Sequence, residues 1–295
     1  DPGMRLAMPD RFVRVALDDV DTNAPVDSLR RGRHIHVHGD VSPTHDPLAT
    51  DLDAAFNGVA SILVTDSPPA DSVLGYVGMF HYNYDPGVIF HGDAPVVNGK
   101  FDATFIVPLE ALTGPRARVT AYVSTGAYDG GGALLKPLVT GTGAVVDTTG
   151  PTIGLAFLNG LEVVPPDAGL RVVVRDEHGV NLTGHTVPNA LYLTIDGTTR
   201  YDLTKDFRYD TGSYQSGTVE FTLPGLAAGP HSITVSAADN YAQGVLGKKN
   251  RSTASIDFKV TASTQFSLGR AYNFPNPFQP DGGGTSFVIT GLTEP

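Results

Sequence analysis

The 295-residue chain contains no cysteine and no tryptophan. Without cysteine it has no disulfide, no thiolate metal site and no cysteine nucleophile of its own. Glutamate is scarce as well, with 5 Glu against 26 Asp. Glu suits helix interiors, whereas the short Asp carboxylate reaches nearby backbone N–H groups and favours turns and caps. Few helices are therefore expected. No apolar run approaches the ~18 residues that a membrane-spanning helix needs. Runs such as Val172-Val173-Val174 have strand length. Positive charge is also short: the net charge is −11 and the pI about 5.1. That balance argues against nucleic acid as the main partner.

What the chain does have is 34 Gly, 22 Pro and 41% apolar residues, enough to bury ordinary cores. Runs rich in Val, Ile, Thr, Phe and Tyr recur between Gly, Pro, Asn and Asp, the pattern of strands joined by tight turns. Residues 100–107 put Phe101, Ala103, Phe105 and Val107 on one face. Similar alternation recurs at 116–123, 169–175, 190–195, 218–223 and 232–237. Only residues 48–56 could pass for a helical turn or two. An internal repeat is also visible. Phe105-Ile106-Val107-Pro108-Leu109 is followed by Leu112, Gly114-Pro115 and Val119-Thr120-Ala121. Phe221-Thr222-Leu223-Pro224-Gly225 is followed by Leu226, Gly229-Pro230 and Ile233-Thr234-Val235. Two tandem copies of one Ig-like β-sandwich explain this, at 20–146 and 150–262. The fold class expected is thus all-β, with the first strand of a truncated third module in 263–295. The Gly- and Thr-rich joint at 139–151 is expected to be short and partly flexible. Both ends read as cut from a longer protein, with 1–19 the tail of an upstream domain and a linker.

Several phrases carry a family resemblance. Asp1-Pro2-Gly3-Met4-Arg5-Leu6-Ala7-Met8-Pro9 resembles the phrase that closes the catalytic domain of gingipain-type C25 cysteine peptidases. Phe56-Asn57-Gly58, the stretch from Val88-Ile89-Phe90-His91-Gly92-Asp93 to Phe101, and Asp210-Thr211-Gly212-Ser213-Tyr214-Gln215-Ser216-Gly217 are similar to the modules that follow it. Asn273-Phe274-Pro275-Asn276-Pro277-Phe278 resembles the opening of the C-terminal sorting domain of type IX secretion cargo. The order of these phrases most resembles the sortase branch of the family. The resemblance implies a Cys/His dyad upstream of Asp1 and no catalytic residue within the chain. It also implies two partners, the peptidase domain of the same protein and an outer-membrane β-barrel shuttle. The expected location is extracellular or on the outer-membrane surface of a Gram-negative bacterium. Two other classes stay open: a tandem adhesin or glycan-binding module, and a structural subunit of an extracellular assembly.

The candidate chemistry is sparse. His34, His36 and His38 share one strand face and, with Asp40, offer zinc or copper ligands. Their ~6.5–7 Å spacing is wide for one ion, which favours a plain exposed face. Asp196-Gly197, Asp206 with Asp210, and Asp46 with Asp51 and Asp53 offer oxygen ligands for Ca²⁺, although turn chemistry explains them too. No cofactor is otherwise expected. His178, in Asp176-Glu177-His178-Gly179, reads as a hairpin turn. Two aromatic groups, Tyr76, Phe80, Tyr82 and Tyr84, and Tyr201, Phe207, Tyr209 and Tyr214, suit either ligand stacking or packing, with packing favoured.

Overall fold

The computed structural model describes residues 9–75, 78–141, 147–243, 248–261, 270–274 and 286–290. The strands of the first module are β1 (Arg11–Asp19), β2 (Ala24–Pro25), β3 (Leu29–Arg30), β4 (His34–Val41), β5 (Gly58–Thr65), β6 (Ala70–Gly75), β7 (Gly78–Asn83), β8 (Val88–Val96), β9 (Lys100–Ile106), β10 (Gly114–Ser124) and β11 (Asp129–Val139). The second module holds β12 (Thr152–Phe157), β13 (Val163–Val164), β14 (Gly169–Arg175), β15 (Tyr192–Ile195), β16 (Thr199–Asp202), β17 (Arg208–Tyr209), β18 (Ser216–Thr222), β19 (Gly229–Ala238) and β20 (Arg251–Val260). A last hairpin pairs β21 (Arg270–Phe274) with β22 (Ser286–Thr290).

The two modules repeat one topology. In the first, β4 lies between β1 and β9, facing a layer ordered β8-β5-β10-β11. In the second, β14 lies between β12 and β18, facing β16-β15-β19-β20. Even the shortest pieces correspond: β3 runs parallel to β11, and β13 runs parallel to β20. Two facing layers with this strand order form an Ig-like sandwich.

Alternation explains the cores. On β4, Ile35 and Val37 are buried between the half-exposed His34, His36 and His38. On β10, Ala117, Val119, Ala121 and Val123 point inward. Their counterparts in the second module are Leu170, Val172 and Val174 on β14 and Ile233, Val235 and Ala237 on β19. Each large aliphatic side chain so buried contributes about 1.5–3 kcal/mol. No cysteine pins the two layers together, so apolar packing holds each sandwich.

Two expectations change. Residues 48–56 form no helix; Asp46 and Asp53 cap turns there by accepting the N–H groups of Leu48 and Ala55. The third module contributes a two-stranded hairpin rather than one unpaired strand. Asn273↔Phe287 lies in its ladder, and the partner strand was hidden because its last two residues, Asn273 and Phe274, read as the start of a sorting phrase. Residues 1–8 and 275–278 of the family phrases lie outside the described residues.

The modules also meet edge to edge. β17 of the second pairs in parallel with β8 of the first at Tyr209↔Gly92, so one sheet runs through both. Glycine is required at that point. A Cβ at Gly92 would lie 2.8 Å from Phe90 Cζ and 3.1 Å from Tyr209 Cβ. The joint expected to be partly flexible is thus bridged beside the linker by backbone pairing.

Candidate functional site

Two regions gather chemistry-bearing side chains. The first is the seam between modules. Asp66, following β5, is fully buried, and its carboxylate accepts the N–H of Gly87 (2.7 Å) and the N–H of Leu112 (2.8 Å). It also meets His185 Nε2 of the second module at 2.6 Å. Glu110 receives Asn189 Nδ2 at 2.6 Å and Asn181 Nδ2 at 3.1 Å, and the Leu109 N–H donates to the Asn240 carbonyl. Arg208 donates to His91 Nδ1 at 2.5 Å. Burial first, and then the neighbouring Arg208 charge, push His91 down to about 4, so the ring is a neutral acceptor. Phe90 stacks on Tyr209 with centroids 5.1 Å apart. The Tyr209 hydroxyl donates to the Val180 carbonyl and accepts the Val180 N–H.

The second region lies at the end of the second module that faces the joint. Asp147 comes from the linker, Asp176 follows β14, and His178 sits two residues later in the turn. One ligand atom from each lies within 4.8 Å of the others. His178 Nδ1 is 2.8 Å from Asp147 Oδ2. Asp239, just past β19, adds a fourth ionisable group. It accepts the N–H groups of Tyr241 and Ala242 and Asn250 Nδ2. Burial pushes Asp176 up to about 6; the His178 N–H opposes this, and the Asp147 charge adds to it. Burial likewise pushes Asp239 up to about 7, against the Asn250 hydrogen bond and with the charges of Asp176 and Asp147. Burial works to raise Asp147 too, but the Thr149 N–H, His178 and a hydrogen bond with Asp239 outweigh it and hold the carboxyl low.

The sign of the resulting pH dependence follows. Asp176 keeps its proton to higher pH when folded than when unfolded, so its ionisation lowers stability as pH rises from about 4 to about 7. Asp176→Asn removes that repulsion while its side-chain oxygen still accepts the His178 N–H. The expected gain at pH 8 is about 1–2 kcal/mol, after discounting a shift of about two units on a half-buried group. Urea unfolding of chelator-treated protein at pH 5 and pH 8 measures it. Equal stability of the two proteins at pH 8 would contradict the cluster's electrostatics.

The residues singled out from sequence fall elsewhere. His36 and His38 do share a face, with rings stacked 5.4 Å apart, but they pair with Asp102 (3.7 Å) and Asp18 (3.1 Å). His34 instead packs on Tyr214 across the seam, and its Nε2 is buried without a hydrogen-bond partner. Asp40 pairs with Arg14. Asp196 is a turn residue at φ 51°, bound to His231 Nδ1 at 2.7 Å and to the Ser232 N–H. Asp206 and Asp210 flank β17 at opposite ends, with Asp210 receiving the Ser216 hydroxyl. Among the described residues, neither the histidines nor these aspartates form a trio with ligand atoms within 4.8 Å of one another. His178 is not in a hairpin, because the chain crosses there from β14 to β15 in the facing layer. Phe207 and Tyr209 are buried, and Tyr201 packs on Phe221. Phe80 and Tyr84 are exposed, while Tyr76 and the side chain of Tyr82 lie outside the described residues.

No protein-family model matches the chain, and no curated protein does. Among solved structures, the fold is similar to dimeric latent PorU from Porphyromonas gingivalis, with a TM-score of 0.51 and 23% identity. The alignment covers 98% of this chain and 27% of that one, so the chain spans about a quarter of PorU's length. A chimeric titin Z1Z2 carrying a decorin peptide aligns over 88% of this chain and all of its own, with a TM-score of 0.23 and 12% identity. A Salmonella alpha-2-macroglobulin mutant aligns over 87% of this chain and 17% of its own, with a TM-score of 0.24 and 12% identity.

Proposed function

We propose that this chain is the non-catalytic β-sandwich region of a secreted C25-type cysteine peptidase of the PorU sortase kind. Its two modules act as a stiff spacer that braces the peptidase domain at one end and presents a sorting module at the other. The observation that carries this reading is the sheet that passes from β8 into β17, reinforced by the contact of buried Asp66 with the half-buried His185. Modules joined only by a linker swivel, whereas paired backbone and buried polar ties hold one direction from end to end. The fold shared with PorU and the family phrases at 1–9 and 273–278 support placing the spacer between a peptidase and a sorting domain. The outer-membrane β-barrel shuttle and the cell-surface location belong to the same reading.

The test compares the chain with its full-length parent. The purified 295-residue chain is expected to turn over no peptide substrate. The full-length protein is expected to lose processing output when Tyr209→Ala loosens the seam and the upstream dyad stays intact. Turnover by the isolated chain that survives repeated purification would contradict the reading, and so would full output from the loosened parent.

A further inference from the structure

We infer that Asp147, Asp176 and His178 form a divalent-cation site of the zinc type, which ties the inter-module linker to the second sandwich. This assignment is independent of the spacer role. Ligands around tetrahedral zinc sit ~2.0–2.1 Å from the metal, and hence about 3.3–3.4 Å from one another. The atoms offered here already lie within 4.8 Å of one another, and one pair lies at 2.8 Å, so small side-chain rotations bring them onto one ion. Two carboxylates and an imidazole suit zinc. Calcium wants six to eight oxygens, more than this trio supplies.

Three further observations favour an ion here. The trio sets two carboxylates beside one imidazole, a concentration of negative charge that a divalent cation neutralises. Asn240, next to Asp239 and 2% exposed, donates its Nδ2 to the His178 carbonyl and keeps a buried Oδ1 with no hydrogen-bond partner. The turn that carries His178 therefore has an unused oxygen acceptor beside it. Asp176, alone of the three, also lines an open cleft with Thr149, Thr152, Arg175 and Gln215, which gives an ion a path from solvent to that carboxylate. Asp147 belongs to the linker, so an ion held by all three residues fastens the segment that leaves the first module.

Zinc titration of the chelator-treated 295-residue chain, by calorimetry and by thermal unfolding, tests the site. The expected result is one zinc per chain and a raised melting temperature, with no comparable effect from calcium. Asp176→Asn and His178→Ala should each weaken binding by at least the roughly tenfold that even an outer-shell change costs. His36→Ala/His38→Ala should leave it unchanged. Circular dichroism separates lost binding from lost folding, and Asp176→Asn is expected to fold at least as stably as the parent chain. Absence of zinc heat would overturn the site. Binding that survives both cluster variants, or that disappears with His36 and His38, would overturn it as an adventitious surface ion. Stronger binding of calcium than of zinc would overturn the zinc-type assignment.

Discussion

Asp66→Ala is expected to lower the unfolding free energy by about 2–4 kcal/mol, since it strips two backbone N–H groups and one imidazole of their shared acceptor. The carboxylate is fully buried and serves three donors on three segments: the Gly87 N–H, the Leu112 N–H and His185 of the other module. Alanine would leave the buried Gly87 N–H unsatisfied, at about 1–3 kcal/mol, and the partly buried Leu112 N–H without its acceptor. The packing around the intact carboxylate is tight. A Cβ added at Gly87 would lie 2.9 Å from the Asp66 carboxylate and 2.6 Å from His185 Nε2. His185→Ala removes only one of the three partners, from a side chain 23% exposed, and should cost less than half as much. Urea unfolding of both variants gives the comparison. A loss below about 1 kcal/mol for Asp66→Ala would contradict the role assigned to the seam.

Tyr209→Ala should have a comparable effect for a different reason. The ring is 4% exposed, lies 5.1 Å from Phe90 and meets Phe207 edge-on at 5.2 Å. Truncating an aromatic side chain in such a place costs about 3–5 kcal/mol. Tyr209→Phe keeps the stacking and loses only the hydroxyl's two hydrogen bonds to Val180, so it should cost about 1–2 kcal/mol. The backbone of this residue also pairs with Gly92 of the first module, so the loss falls on the seam as well as on one core. Calorimetry should show one cooperative transition for the parent chain and two separated ones for Tyr209→Ala. A single unshifted transition in the variant would contradict this account.

The layers were legible because alternation is a local signal. Ile35 and Val37 against His34, His36 and His38 already mark an inward and an outward face, and the repeated Phe-x-Val/Leu-Pro phrases mark equivalent strand ends. The two-residue strands β3 and β13 were not legible, since parallel pairing with a distant edge leaves no pattern in so short a segment. The cation cluster was hidden for the same reason. Asp147 lies 29 residues before Asp176 in the sequence, and it meets Asp176 and His178 only because the linker passes the end of β14 in the folded chain. The one local clue was the i, i+2 spacing of Asp176 and His178, and a turn reading absorbed it. By contrast, the histidine triplet stood out in the sequence because its members are adjacent. Same-face positions along a strand do not converge on one ion: His36 and His38 stack on each other and pair with separate aspartates, and His34 packs on Tyr214.

A spacer of the proposed kind holds its two sandwiches as one rigid body. The absence of native cysteine makes spin labelling direct: Arg118→Cys on β10 and Asp257→Cys on β20 place one exposed label on each module. Pulsed electron resonance on the doubly labelled 295-residue chain should give a single narrow distance distribution, unchanged between low and high salt. A broad or two-peaked distribution would show modules that swivel about their joint and would contradict the account.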